Sequence, residues 1–418
     1  MPEIKEVVSF DIPRAEQIKL TNGLPVYVVN QAVKEVSKIE LLFNAGNCYE
    51  QQHLQAKMTN RMLREGAGGI TGKAIAEKLD YYGASFRQET SGDYASVTLM
   101  ALNKHLPHVF PLFEKIVKHP DFSNDELETL LLNNIQKLKV SLKKNEVLAD
   151  RKIHEIIYGE DHPYGYNSSK EKYSAITSEC LKSFHKQTYT AASCKIIVSG
   201  KIDQAILNLL EKHFGGNDWQ GENSVKPVQK EIIDLSDYKH IVPIKGSVQS
   251  AIRLGKRLFN KTHPDYYGFH VLNTMLGGYF GSRLMSNIRE DKGYTYGIYS
   301  GLYSYLNEGY WYVTTEAGTD VAADTIKEIY FEIERLKNEL ASDDELSLVK
   351  NYLRGSWLSS IDGPFKLSNL TKTLAIYNLE YDYFYKIIET INTITAEEIR
   401  QLAQTYLSTD NLHEIIVG

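Results

Sequence analysis

Residues Leu54 to Gly66, LQAKMTNRMLREG, combine a helical pattern with polar side chains at a spacing that could do chemistry. Every fourth residue from Leu54 is apolar, which predicts the buried stripe of a short helix. Lys57 and Arg61 fall one turn apart on the neighbouring face, with Asn60 beside them. A helical zinc site would place two histidines and a carboxylate there. The spacing is thus that of a helical metal site, but two cations and an amide stand where the ligands and the carboxylate would be.

A second candidate tract spans residues 276–300, LGGYFGSRLMSNIREDKGYTYGIYS. It places Arg289 and Tyr296 seven residues apart. A guanidinium and a phenol are both donors that can be held where negative charge develops in a reaction. An isolated pair of this kind would more simply be a surface ion pair and a packed ring. Tyr294 is the competing tyrosine, and Arg283 is expected to make a structural contact.

Composition narrows the class of protein. The chain has 418 residues, is 42% hydrophobic and 24% charged, and carries a net charge of −6. These values are typical of a soluble globular protein with two or more domains and give no basic footprint for nucleic acid. No apolar span is long enough to cross a membrane, and the N-terminus lacks the apolar core of a signal peptide, so we expect a cytoplasmic protein. Three widely spaced cysteines predict neither a disulfide framework nor a metal site.

The order of predicted elements occurs twice along the chain. Ser123-Asn-Asp-Glu-Leu matches Ser342-Asp-Asp-Glu-Leu at an offset of 219 residues, and each match predicts a capped long helix. Three further matches, ending with the closing strands, keep nearly the same offset, which indicates an internal duplication. We therefore predict an N-terminal domain over residues 1–217, a linker over 218–230 and a C-terminal domain over 231–418.

The duplication, the tract around residues 40–66 and the HPYG motif at 162–165 together resemble the pitrilysin–insulinase family, the inverted zincins. The resemblance covers residues 17–418. It implies an α+β fold of two homologous domains, each a mostly antiparallel sheet with helices packed on one face, forming half of a clamshell. Catalytic members of the family bind zinc through H-x-x-E-H on a helix and a glutamate about 75 residues later. The glutamate inside the motif acts as general base on the zinc-bound water.

Alignment on the flanking residues puts the three motif positions at Lys57, Asn60 and Arg61. Lysine and arginine are cations that repel a metal, and asparagine cannot take a proton from water. The later glutamate position falls near Gln136 or Lys137, where no carboxylate is present. The resemblance therefore implies that this chain has no zinc site of the family type and no cofactor of its own.

The family also carries an arginine and a tyrosine seven residues apart in a tract like that of residues 276–300. In the family these side chains face the zinc helix across a closed chamber, bind the substrate backbone, and help to stabilise the oxyanion. For Arg289 and Tyr296 the resemblance implies the same two roles, performed in trans. The chain would then be the catalytically incomplete subunit of a heterodimeric zinc peptidase, with zinc in a homologous partner and a peptide as substrate.

Two other functions remain open at this point. Family members also serve as assembly subunits of respiratory complexes, so loss of the zinc ligands fits a non-enzymatic scaffold as well. A peptide-binding homodimer is the third possibility. The Arg289–Tyr296 pair favours the complementing subunit, because a scaffold has no need of it.

Overall fold

The structure is a computed structural model that describes residues 11–32, 34–221, 226–228, 230, 232 and 237–418. The N-terminal residues 1–10 and residues 222–225 and 229 of the predicted linker lie outside the described residues, as do 231 and 233–236 just after it. Among the helices of the described ranges, none is both long enough and apolar enough to cross a membrane.

The described residues form strands and helices throughout their length. The strands are β1 (Glu16–Lys19), β2 (Pro25–Asn30), β3 (Val36–Phe43), β4 (Gly66–Ala67), β5 (Ile70–Thr71), β6 (Ser85–Thr90), β7 (Ala95–Leu102), β8 (Cys194–Gly200), β9 (Lys239–Val242), β10 (Gln249–Leu258), β11 (Thr295–Ser304), β12 (Gly309–Gly318) and β13 (His413–Val417). The α-helices are α1 (Gln55–Met62), α2 (Gly72–Tyr81), α3 (Leu106–Lys118), α4 (Asn124–Ser141), α5 (Asn145–Tyr158), α6 (Lys170–Ser174), α7 (Ser178–Thr188), α8 (Gln204–Phe214), α9 (Tyr266–Asn273), α10 (Ala322–Asn338), α11 (Asp343–Ser360), α12 (Pro364–Tyr377), α13 (Asp382–Thr393) and α14 (Ala396–Tyr406).

Two sheets of the same topology organise the molecule. The first has the order β1-β2-β8-β3-β7-β6 and the second β11-β12-β10-β13-β9. Apart from one parallel pair in each, β2 with β8 and β9 with β13, neighbouring strands are antiparallel. Starting from the edge strands β6 and β11, the first sheet runs β6-β7-β3-β8-β2 and the second runs β11-β12-β10-β13-β9, so each strand has an equivalent in the other sheet. The predicted α+β fold with two homologous, mostly antiparallel halves is confirmed.

Local signals in the sequence set several of these elements. The Asn22-Gly23 turn joins β1 to β2, and Gly23 takes the positive φ of +86° that such a turn requires. The two long helices α4 and α11 each begin after a serine whose hydroxyl accepts a backbone N–H three residues on. The distances are 3.3 Å from Ser123 to Glu126 and 3.2 Å from Ser342 to Glu345.

One helix from each half packs against the sheet of the other half. Helix α5 packs on β10 and β13 of the second sheet, while its counterpart α12 packs on β8 and β2 of the first. Gly255 of β10 faces α5: a Cβ there would lie 3.4 Å from the Ile157 side chain, in ordinary van der Waals contact. Lys195 of β8 donates to the carbonyl of Ala375 in α12. Both sheets are therefore covered on part of their second face by a helix from the other half.

An ion pair anchors each exchanged helix. The strand carries the negative charge in one pair and the positive charge in the other. Glu40 of β3 contacts Lys372 of α12 at 2.8 Å, and Arg253 of β10 contacts Asp150 of α5 at 2.6 Å. Lys38 approaches Glu40 from the strand itself at 3.3 Å. Burial alone would raise the pKa of Glu40, but the two ammonium groups outweigh it and hold that pKa below its usual value.

Aromatic rings close the contact between the halves. Tyr164, from the HPYG motif, stacks on Tyr305 with ring centroids 3.7 Å apart. The Tyr164 hydroxyl donates to the Asp93 carboxylate, which also accepts the Leu306 backbone N–H at 2.9 Å. The HPYG motif therefore has a structural role: its tyrosine packs one half of the molecule against the other.

Replacing Glu40 by Gln is expected to lower the free energy of unfolding by about 3 kcal/mol at pH 7, because two lysines lose their buried carboxylate partner. The folded-state pKa of Glu40 is depressed, so its contribution is fully present above the unfolded pKa of about 4.3. That contribution is lost as the pH falls through the still lower folded value. Urea unfolding of both proteins between pH 7 and 3 measures the difference.

Asp382→Asn is the matched control, because the Asp382–Lys386 pair spans 3.8 Å on the exposed surface. It should cost less than about 0.5 kcal/mol. Equal losses for the two variants, or a Glu40→Gln deficit that persists unchanged at acid pH, would contradict the assignment.

Candidate functional site

Helix α1 is fixed by a buried carboxylate at its start. Leu54 precedes the helix with a positive φ of +72°, and its N–H and that of Ala56 point at Glu50, at 3.3 and 3.1 Å. Burial raises the pKa of Glu50 to about 7. The helix runs from Gln55 to Met62 with its apolar stripe buried, as the spacing predicts. Its other face is thereby held in one orientation.

Lys57 and Arg61 lie one turn apart on α1. Lys57 is half-buried, and its pKa is lowered, first by burial and then by the neighbouring guanidinium of Arg61. Arg61 reaches solvent, and its Nη1 donates to the side-chain oxygen of Asn134 in α4. Among the described residues, neither cation forms an ion pair with a carboxylate.

Asn60 faces the protein rather than solvent. Its side chain is 1% exposed, and its amide nitrogen donates to the Glu89 carbonyl at 2.6 Å and to the Thr90 hydroxyl at 3.0 Å. Its backbone carbonyl accepts from the Gln88 side-chain amide. Asn60 therefore ties α1 to the edge strand β6 and has no group that could take a proton from water.

The side chain of α4 that meets the degenerate motif is Asn134. It is buried, and its amide nitrogen donates to Leu130 at 2.7 Å while its oxygen accepts from Arg61. Gln136 and Lys137, predicted from sequence distance, are both exposed to solvent. The helical periodicity of α4 could have identified residue 134 from the sequence, since it lies seven residues after Leu127 on the buried stripe of the helix.

The residues at these four positions do not fit a zinc ion. Zinc takes neutral imidazole, thiolate or carboxylate ligands, whereas Lys57 and Arg61 bring positive charge and Asn60 turns its amide into the protein. Within the ranges the structure describes, no three His, Cys, Asp or Glu side chains are grouped closely enough to hold a metal ion.

The second tract is built on two turns of π-helix, Thr274–Gly278 and Met285–Asp291. Turns of π-helix are rare in proteins as a whole, but those that occur are often found at functional sites. Asn287 anchors the second turn by donating to the buried Glu332 at 2.7 Å. Arg283 forms a two-pronged contact with Glu345 at 2.7 and 2.8 Å. Arg283 thus has the structural role expected of it.

A β-bulge presents Tyr296 to solvent. Thr295 pairs with Ala317 and Ile298 with Thr315, so β11 uses one residue more than β12 at this point. The Thr295 hydroxyl holds the bulge by donating to the Glu316 carbonyl at 2.6 Å. Bulges re-aim side chains and are common beside active sites. The Tyr296 side chain is 91% exposed, in contrast to the half-buried Tyr294.

Arg289 lies over an aromatic ring. Its guanidinium carbon is 4.6 Å from the centre of the exposed Phe280 ring. Among the described residues it forms no ion pair with a carboxylate. This cation–π contact holds the guanidinium near the ring while its N–H groups stay available to a ligand. Within the described part of the chain, Arg289 therefore makes no surface ion pair and Tyr296 is not a packed ring.

The two candidate regions remain separate within this chain. Residues 276–300 are joined to one another, for example by the Tyr294 N–H donating to the Ile288 carbonyl at 3.0 Å. In the described part of the molecule, no hydrogen bond or ion pair links this tract to α1. The structure therefore places the predicted oxyanion pair and the degenerate zinc positions at different sites.

Comparison with protein families finds two matching models. One, described as insulinase (peptidase family M16), matches residues 26–165. The other, described as peptidase M16 inactive domain, matches residues 175–353. The first match contains α1, and the second contains Arg289 and Tyr296.

Individual relatives and structures agree with these matches over nearly the whole chain. An uncharacterized zinc protease, YmxG of Bacillus subtilis, is 24% identical over 398 residues, covering 93% of this chain and 95% of the relative. A peptidase M16 inactive domain from Pseudomonas fluorescens has a TM-score of 0.84 at 24% identity, covering 97% and 98% of the two chains. The periplasmic protease PqqL from Escherichia coli has a TM-score of 0.77 at 16% identity, and the match covers all of this chain but 48% of PqqL.

Proposed function

Because the chain belongs to the insulinase family, peptidase family M16, we propose that it is the non-zinc subunit of a two-subunit metallopeptidase. It needs no cofactor of its own. A homologous partner carries H-x-x-E-H and the zinc, and peptides are cleaved in the chamber between the two subunits. The observation that carries this proposal is the exposed Tyr296 on its β-bulge. Arg289 lies seven residues earlier in the chain and forms no ion pair with a carboxylate among the described residues.

Arg289 and Tyr296 act on the substrate rather than on the metal. The Arg289 guanidinium donates hydrogen bonds to a backbone carbonyl of the peptide near the scissile bond. The Tyr296 hydroxyl donates to the carbonyl oxygen that becomes negatively charged during hydrolysis. Such donors stabilise the transition state most when they are fixed beforehand. The Thr295 hydroxyl holds the backbone of the bulge that carries Tyr296, and the π-helical turn Met285–Asp291 carries Arg289.

The fold supports a partner of the same kind. This chain matches 48% of PqqL, so a single polypeptide can contain this fold together with a second portion of similar length. In our proposal, this chain and a homologous partner supply two such portions as separate subunits. We assign residues 1–217 to the degenerate zinc half and 231–418 to the substrate-binding half, with 218–230 as the linker. A cytoplasmic location is part of the proposal.

Mixing experiments distinguish this function from its alternatives. The chain and a homologous H-x-x-E-H subunit should form a 1:1 complex in size-exclusion chromatography with light scattering, and peptide cleavage should require both. A stable homodimer that ignores the zinc subunit would favour the peptide-binding homodimer. A 1:1 complex whose cleavage rate is unchanged when Arg289 and Tyr296 are both replaced would favour the scaffold.

A further inference from the structure

The degenerate zinc positions form a cationic site without an anion. Lys57 and Arg61 sit at i and i+4 on one helix, where like charges repel. Burial and the Arg61 charge together lower the pKa of Lys57, so the protein environment works against its charged form. In the described part of the chain no carboxylate pairs with either residue. A helix that breaks a local rule in this way is often part of a binding site.

The geometry of Arg61 is fixed in advance. Its Nη1 donates to the side-chain oxygen of Asn134, and Asn134 is itself held by the hydrogen bond to Leu130. The contact engages one nitrogen of the guanidinium, and within the described residues the other nitrogens have no protein acceptor. A guanidinium offers a planar fork that matches the two oxygens of a carboxylate, and a lysine adds a point charge beside it.

We propose that Lys57 and Arg61 form a binding site for a carboxylate group of a peptide, at the place where catalytic relatives hold zinc. The edge strand β6 is tied to α1 through Asn60 and Gln88, and among the described residues no strand pairs with its outer edge. The carboxylate is supplied either by the peptide C-terminus or by an Asp or Glu side chain. Charge replacement thus converts a cation site into an anion site.

This inference is independent of the proposed function. Binding is measured on the chain alone, and it holds or fails whether or not a zinc-bearing partner completes a peptidase. Conversely, a complex that cleaves peptides without any preference for carboxylates would leave the proposed function intact and remove this site.

Fluorescence anisotropy with four labelled peptides of one length tests the site. The peptides have no acidic side chain and a free C-terminus, no acidic side chain and an amidated C-terminus, an internal glutamate with an amidated end, and the matching glutamine. We expect the free C-terminus or the glutamate to tighten binding at least about tenfold over its neutral counterpart. The peptide that does so identifies the source of the carboxylate. Equal affinity for all four, or displacement of none of them by excess acetate, would overturn the proposal.

Variants localise the effect. Lys57→Met with Arg61→Gln should abolish the preference for the carboxylate, whereas Arg64→Gln should leave it within about twofold. Arg64 is the matched control because it lies one turn beyond Asn60, is exposed, and pairs with Glu65 at 3.7 Å. Inorganic phosphate is tested as an alternative ligand. If the wild type binds phosphate but none of the peptides, and the double variant does not bind phosphate, the peptide assignment is wrong.

Thermal unfolding separates a binding role from a structural one. Lys57→Met removes a half-buried charge that has no ion-pair partner among the described residues and keeps a side chain of similar length. Its Tm should therefore equal or exceed that of the wild type, while carboxylate binding is lost. A clear fall in Tm would assign Lys57 to the fold and contradict the binding site.

Discussion

Tyr296→Phe should lower kcat of the reconstituted two-subunit peptidase about 10²–10³-fold, because one donor to the developing oxyanion is lost. The ring remains, so the shape of the chamber wall is unchanged. The Tyr296 side chain is almost fully exposed, and its removal should leave the thermal stability of the chain as it is. Steady-state cleavage of a quenched fluorescent peptide, with circular dichroism melting of the free chain, measures both quantities.

Tyr294→Phe is the matched control for that experiment. Tyr294 is two residues away, half-buried, and packed against the apolar core of the second half. Its phenol does not stand on the bulge, so kcat should change less than about threefold. If Tyr296→Phe changes kcat by as little, the role of Tyr296 in trans is wrong.

The second large effect concerns metal. Lys57→His, Asn60→Glu, Arg61→His and Asn134→Glu in one chain should create binding of one zinc ion per chain, because these substitutions supply two histidines at i and i+4 and a carboxylate from α4. The hydrogen bond from Arg61 to Asn134 shows that side chains at these two positions meet. Isothermal titration with zinc, and metal analysis after dialysis, should show the ion bound in the variant and not in the wild type.

Two comparisons make this result specific to position. The same variant with Asn134 restored should bind zinc much more weakly, since it lacks the carboxylate from α4. A variant with Gln136→Glu in place of Asn134→Glu should be no better, because Gln136 is exposed to solvent. Equal affinity in all three variants would show that α1 and α4 are not the helices of a former metal site.

The sequence predicts much of the scaffold because its signals are local. The stripe of α1, the serine caps of α4 and α11 and the Asn22-Gly23 turn each depend on residues within one or two turns of chain, and the duplication fixes the order of elements. The candidate residues Lys57, Asn60 and Arg61 come from the same local pattern. The structure places all three on α1, with Lys57 and Arg61 one turn apart and Asn60 turned into the protein.

Features that depend on distant contacts were not predictable in the same way. Residue 134 was missed by two or three positions because a sequence distance carries no information on which face of α4 meets α1. The exchange of α5 and α12 was missed because an amphipathic helix does not specify which sheet it covers. The bulge at Tyr296 depends on its pairing with Thr315 and Ala317 across the sheet, and that register is visible only in the folded chain.

One titration tests the central claim most directly. A homologous zinc-bearing subunit is held at fixed concentration and this chain is added while peptide cleavage is followed. The account predicts negligible cleavage by either subunit alone, even with added zinc, and a rate that rises with added chain and saturates at equal molar amounts. Full cleavage by the partner alone, or zinc-dependent cleavage by this chain alone, would contradict it.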